Sequence, residues 1–171
     1  MTSFQTLLDT PWLLRTRRNH GLEHATIHVL TEKNPRRSVS GHSDAGGFWL
    51  LGELSTEETQ QAVEEALARL RAGERGLAIH PNCGTNLMAA GVLSGLAGAL
   101  AVRGANQRGA WLERLPLAAL LSIFGLLAAR PLGTRLQQRV TTSGDPGPLQ
   151  ISSVRRSQRS SHTLHRVETH S

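Results

Sequence analysis

Two uncharged stretches constrain the fold of this chain more than any other feature. From Pro81 to Val102 twenty-two consecutive residues carry no formal charge, and from Leu115 to Ala129 another fifteen do. A helix needs about 17–25 largely apolar residues to cross a bilayer, so the first stretch is long enough by itself. The second reaches that length once Trp111 and Leu112 before it and Leu132 beyond Arg130 are included, with arginines snorkelling to the interface. The segment between them, Arg103 to Arg114, is short and polar, which predicts antiparallel neighbours: a transmembrane hairpin with spans near 84–102 and 112–130. The competing reading is a hairpin buried in a soluble core. Gly91, Gly95 and Ala99 recur every four residues, the small-residue spacing that lets membrane helices approach closely, and predict a homo-oligomer through that face.

The charge pattern fits a membrane better than a nucleic acid. The 171-residue chain has a net charge of +6, and Lys33 is the only lysine among nineteen basic residues. The arginines are dispersed, Tyr is absent, and no basic patch is interleaved with aromatics, which argues against a nucleic-acid surface. Arg-favouring codon usage in a GC-rich genome is the bland source of the same bias. Around the hairpin, Arg69, Arg71, Arg75, Arg130, Arg135 and Arg139 flank its outer ends, whereas Arg103, Arg108 and Arg114 lie in its loop. The excess predicts a bacterial cytoplasmic-membrane protein with both termini in the cytoplasm. The first fifteen residues lack the basic start, apolar core and small-residue cleavage site of a signal peptide.

Around the hairpin the chain reads as α+β. Phe4, Leu7, Leu8 and Trp12 have helical spacing and suit either a membrane-surface helix or a core-facing one. A helix is expected from about Arg17 to Lys33, with Leu22, Ala25, Val29 and Leu30 on one face and His20, His24 and His28 on another; Asn34-Pro35 ends it. Ser38 to Ser43 and Phe48 to Leu54 read as strands around an Asp44-Ala45-Gly46-Gly47 turn, where His42 and Asp44 have ordinary turn roles. Ser55 with Glu58 forms a capping box for a helix running to Gly73, with Val63, Ala66, Leu67 and Leu70 inward. Leu77-Ala78-Ile79 reads as a short buried strand. The expected organisation is an α-β-β-α-β cytoplasmic domain over 1–80, the transmembrane hairpin over 81–132, and a tail over 133–171. That tail is either disordered, as its Ser, Thr and Arg content suggests, or forms a β-hairpin over 149–169 that extends the sheet. His162, His165 and His170 are expected to be solvent-exposed.

Two motifs carry chemistry. In His20-Gly21-Leu22-Glu23-His24 the imidazoles stand one helical turn apart on one face, able to grip one transition metal, with Glu23 beside them as a base for metal-bound water. The order H-x-x-E-H is that of inverted zinc peptidases. Glu23 equally suits a supporting role, holding an imidazole N–H. The second motif, His80-Pro81-Asn82-Cys83-Gly84-Thr85-Asn86, places the single cysteine three residues after a histidine. Thiolate and imidazole are strong zinc donors, and proline and glycine favour a tight preformed loop. By itself Cys83 would more often be a small buried apolar residue.

Together, HGLEHATIH and HPNCGTN resemble a group of bacterial membrane proteins of unknown function, and also the YqhQ-like family of predicted metal-dependent membrane enzymes. The likeness covers the two motifs and the apolar segment after them. It implies a membrane protein with a metal site of His20, Glu23, His24, His80 and Cys83, without His28. Two functions from different classes follow. One is a membrane-anchored zinc-dependent hydrolase, or one using another divalent transition metal, with Glu23 as catalytic base and His20, His24, His80 and Cys83 as candidate ligands. The other is a non-catalytic membrane protein in which those four ligands close a structural zinc site. The lipid bilayer is the expected partner in both.

Overall fold

In the computed structural model, which describes residues 3–104, 110–159 and 162–171, the chain forms two compact units. One comprises Met1–His80 with Gln138–Ser171, and the other Pro81–Gln137. Arg108, counted above for topology, and the turn residues Ser160 and Ser161 lie outside the described residues, as do the side chains of Phe4 and His162.

The first unit is built around helix α2, Pro11–Lys33, which follows a short helix α1, Ser3–Leu8. Pro11 suits the opening turn of α2, where its missing N–H has no helical partner to lose. The helix therefore starts a turn and a half before Arg17. Leu8 is buried, but Leu7 and Trp12 remain exposed. Strands β1, Ser40–Asp44, and β2, Gly47–Leu51, form a hairpin around the expected turn, in which Asp44 Oδ1 accepts from the Gly46 N–H at 2.7 Å. Helix α3, Thr56–Arg71, opens on the anticipated cap: Ser55 Oγ accepts from the Glu58 N–H at 3.0 Å.

The tail is ordered as strands β3, Gln150–Arg159, and β4, His162–His170, and β4 pairs with β2. The result is a four-stranded antiparallel sheet in the order β1-β2-β4-β3. Arg166 on β4 forks onto Asp44 with contacts of 2.7 and 2.8 Å and lies over the Trp49 ring. Leu22, Ala25, Val29 and Leu30 of α2 pack with Phe48, Leu50, Val63, Ala66, Leu67, Leu70 and Val167 in one core.

Two expectations are corrected. Leu77-Ala78-Ile79 is not a strand: Arg75–Ala78 forms a 3₁₀ turn, closed by Leu77 N–H donating to the Glu74 carbonyl and Ile79 N–H to the Gly76 carbonyl. The carbonyls that a strand would spend on a neighbour are used instead by histidines, as set out below. His165 is not exposed; it is fully buried, with Nε2 3.3 Å from Thr56 Oγ1. Its β4 register places it opposite Leu50, on the covered face of the sheet.

The second unit contains helix α4, Gly84–Val102, the short α5, Ala110–Glu113, and helix α6, Leu115–Leu136. Helices α4 and α6 pack at small residues. A Cβ on Gly125 would meet the Leu93 carbonyl, and one on Gly133 would meet Asn86. Asn86, from the second motif, accepts from Gln137 Nε2 at 2.8 Å and donates to the Pro81 carbonyl at 2.7 Å, tying the start of α4 to the end of α6. Gly91 and Gly95 face open space. Both long helices are apolar and long enough to cross a membrane, and only 11% and 17% of their most apolar windows are buried. Leu87, Val92, Leu96, Leu100, Leu120, Ile123 and Phe124 are all more than half exposed. A soluble core hairpin would cover these side chains, so their exposure fits a membrane protein.

Candidate metal centre

Helix α2 holds His20 and His24 one turn apart, with ring centroids 4.4 Å from each other. Each imidazole is oriented by a backbone carbonyl at the end of a helical turn. His20 Nδ1 lies 2.9 Å from the carbonyl oxygen of Thr141, the last residue of a π turn over Gln137–Thr141. His24 Nδ1 lies 2.8 Å from the carbonyl oxygen of Ala78, the last residue of the 3₁₀ turn. Carbonyls at such ends have no partner within their own helix. A carbonyl can only accept, so Nδ1 carries the proton in both rings and the lone pair sits on Nε2. A carbonyl behind one nitrogen is the usual support of a histidine that ligates a metal through the other.

Gly21 makes the first of these contacts reachable. The returning chain crosses α2 so closely that a Cβ at Gly21 would collide with the Ser143 carbonyl oxygen, and Ser143 N–H donates to the Arg17 carbonyl at 2.9 Å. The glycine between His20 and Leu22 is therefore needed for a close approach.

A model of a protein family, Domain of unknown function (DUF6391), matches residues 15–154. The chain belongs to the DUF6391 family. It is also 38% identical over 149 residues to an uncharacterized protein of the cyanobacterium Picosynechococcus sp. (strain ATCC 27264 / PCC 7002 / PR-6), covering 77% of this chain and 67% of that protein. No solved structure matches. The matched region of this DUF6391 chain contains both motifs and both apolar helices.

His80 joins the imidazole group, with its ring centroid 5.6 Å from that of His24 and 5.1 Å from that of His28. Burial, with the two neighbouring imidazoles, pushes its pKa down to about 4, which keeps the ring neutral and able to donate a lone pair. His28, not counted among the ligands from sequence, has Nε2 2.9 Å from the Ile79 carbonyl oxygen. Three histidines of one helix stripe thus meet three carbonyls, of Ala78, Ile79 and Thr141. No side-chain pattern could have revealed those acceptors.

Glu23 is 4% exposed, and its carboxylate accepts from Ser43 Oγ on β1. A Cβ on Gly41 would run into that carboxylate, so β1 passes close over it. Cys83 caps helix α4, its Sγ 3.5 Å from the Thr85 N–H. Only Pro81 and Asn82 separate it from His80, so their Cα atoms can be no more than about 11 Å apart however the chain is drawn. In donor chemistry, two imidazoles and a thiolate, the side chains of His20, His24 and Cys83, are a set suited to a transition-metal ion. With two helices apolar enough to span a bilayer, the DUF6391 chain is compatible with a membrane-anchored metal-binding protein.

Proposed function

We propose that this protein is a membrane-anchored protein that binds zinc, or another divalent transition metal, through His20 and His24 with Cys83 and His80. The observation that carries the reading is the pair of carbonyls behind His20 and His24, which present both Nε2 lone pairs from one face of α2. The short link from His80 to Cys83 supports a thiolate as a further ligand. The two-motif resemblance to YqhQ-like enzymes supports the same donors. When bound, zinc would supply Lewis acidity toward water or a carbonyl group.

Hydrolysis is the finer part of the proposal, and Glu23 is the carboxylate that would take the proton. A structural site is the second reading, and one observation favours it: Glu23 already accepts from Ser43 Oγ in a buried position, which suits a group that braces β1 against α2.

Metal content of the purified full-length chain tests the proposal. Wild type should retain about one metal per chain, whereas His24→Ala and Cys83→Ser should lose it. A wild-type protein with no stoichiometric metal after gentle purification would overturn the metal reading. X-ray absorption then divides the two functions: an oxygen ligand beside nitrogen and sulfur marks an open site, and a closed N3S set a structural one. If Glu23→Gln keeps both its metal and its cellular phenotype, Glu23 is no catalytic base.

A further inference from the structure

A cavity of about 390 Å³ is walled by Arg17, Arg75, Gln138, Thr142, Ser143 and Asp145. Its size falls within the usual range for small-molecule sites, roughly 300–1,000 Å³. Ile79 also contributes to the wall. Two backbone segments are therefore shared with the imidazole group. Ile79 gives its carbonyl to His28 and precedes His80, and Thr142 follows Thr141, whose carbonyl holds His20.

The charge of this wall is not balanced from within. Arg17 reaches the carbonyls of Leu8, Arg139 and Thr142 at 3.3–3.4 Å, and its ion pair with Asp9 is long at 3.9 Å. These contacts spend its hydrogens on weak, mostly neutral acceptors. Among the described residues the Arg75 guanidinium has no hydrogen-bond or ion-pair partner. Asp145 is the single carboxylate in the wall, and its Oδ1 accepts from the Gly147 N–H at 3.0 Å. Two arginines thus share the wall with a single carboxylate, one oxygen of which already accepts the Gly147 N–H. Gln138 adds a neutral amide beside them, and the Ser143 hydroxyl is held within its own loop, donating to the Asp145 carbonyl at 2.9 Å.

We propose that this cavity binds the phosphate group of a ligand acted on or held at the neighbouring metal centre, with Arg75 as its principal contact. A single arginine satisfies a carboxylate with one two-pronged pair, whereas a phosphate has oxygens left for the Gln138 amide and for Arg17, whose present contacts are long. The phosphate can come from a lipid headgroup or from a soluble phosphate ester. The coupling to a metal rests on the function proposed above; the anion site itself does not.

The full chain in detergent micelles is titrated with inorganic phosphate, and separately with micelles doped with phosphatidic acid or with diacylglycerol, which lacks the phosphate. Melting temperature and calorimetric affinity are read, and metal content is measured on the same samples. Saturable binding is expected for inorganic phosphate, for phosphatidic acid, or for both. Arg75→Gln should weaken it at least tenfold, and Arg36→Gln, on an exposed loop outside this cavity, should leave it unchanged. Binding of phosphatidic acid alone identifies a lipid as the source. The proposal is overturned if neither phosphate probe binds saturably, if diacylglycerol binds as well as phosphatidic acid, or if Arg75→Gln binds as wild type does. Wild type that retains metal but binds no phosphate sinks only this inference. Arg75-dependent phosphate binding without metal sinks the metal reading and leaves the anion site standing.

Discussion

The two units treat their side chains in opposite ways. The first closes an apolar core and takes polar groups inside with it, most of them hydrogen-bonded. Asn19, fully buried, donates to the Asp44 carbonyl and accepts from Thr169 Oγ1, and His24 and Glu23 are likewise buried and hydrogen-bonded. In the second unit, large apolar side chains are left uncovered along both helices. The first unit therefore depends on exact pairing, since a buried polar group left without a partner costs about 1–3 kcal/mol. The second leaves a surface that fits a hydrocarbon environment, where such side chains cost nothing to expose.

The largest expected effect comes from reversing that surface. Leu96→Asp changes a residue that is 58% exposed. In water such a change would be nearly neutral, but at the centre of a spanning helix an aspartate costs about 2.5–3.5 kcal/mol. Membrane insertion of the full chain, measured by glycosylation mapping or carbonate extraction, should drop sharply. Undiminished insertion would break the contrast between the units and return α4 to a soluble setting.

A smaller effect is expected from Gly21→Ala. The added methyl collides with the Ser143 carbonyl oxygen, and overpacking of this kind costs about 1–3 kcal/mol. Because the same strand of chain delivers the Thr141 carbonyl to His20, metal affinity should fall together with stability. Denaturant unfolding and metal titration of the variant read both. A stability loss with undisturbed metal affinity would separate the backbone crossing from the site.

Legibility in sequence divided along the same line. The apolar helices, the Ser55–Glu58 cap and the Asp44–Gly47 turn were readable because each is decided by neighbours in the chain. Arg15, Arg17 and Arg71, in contrast, reach the carbonyls of Thr169, Thr142 and Leu149, from 78 to 154 residues away. Arg71, counted with the membrane-flanking charge, therefore ties the returning tail to α3, and Arg69, counted with it, is committed to Glu32 and Glu74. The candidate site was half legible. Spacing placed His20 and His24 on one face, but the tautomer with its lone pair on Nε2 is chosen by carbonyls of a 3₁₀ turn and a π turn, and carbonyls carry no residue signature.

The smallest effect at neutral pH, and the one that probes the pairing rule most directly, belongs to His165. It is buried, its Nδ1 lacks a hydrogen-bond partner among the described residues, and burial, reinforced by the nearby Arg156 charge, lowers its pKa from the ordinary 6.5, while Glu57 opposes the shift. The folded state therefore binds fewer protons than the unfolded state once pH falls below about 6.5. The stabilisation from keeping this ring neutral is complete above that value and is lost progressively as pH drops toward the lowered pKa. Urea midpoints measured from pH 7.5 downward should decline for wild type. His165→Leu, which cannot be protonated, should remove part of that acid loss while leaving the neutral-pH midpoint close to wild type. An unchanged acid slope in the variant would show that protonation elsewhere unfolds the sheet.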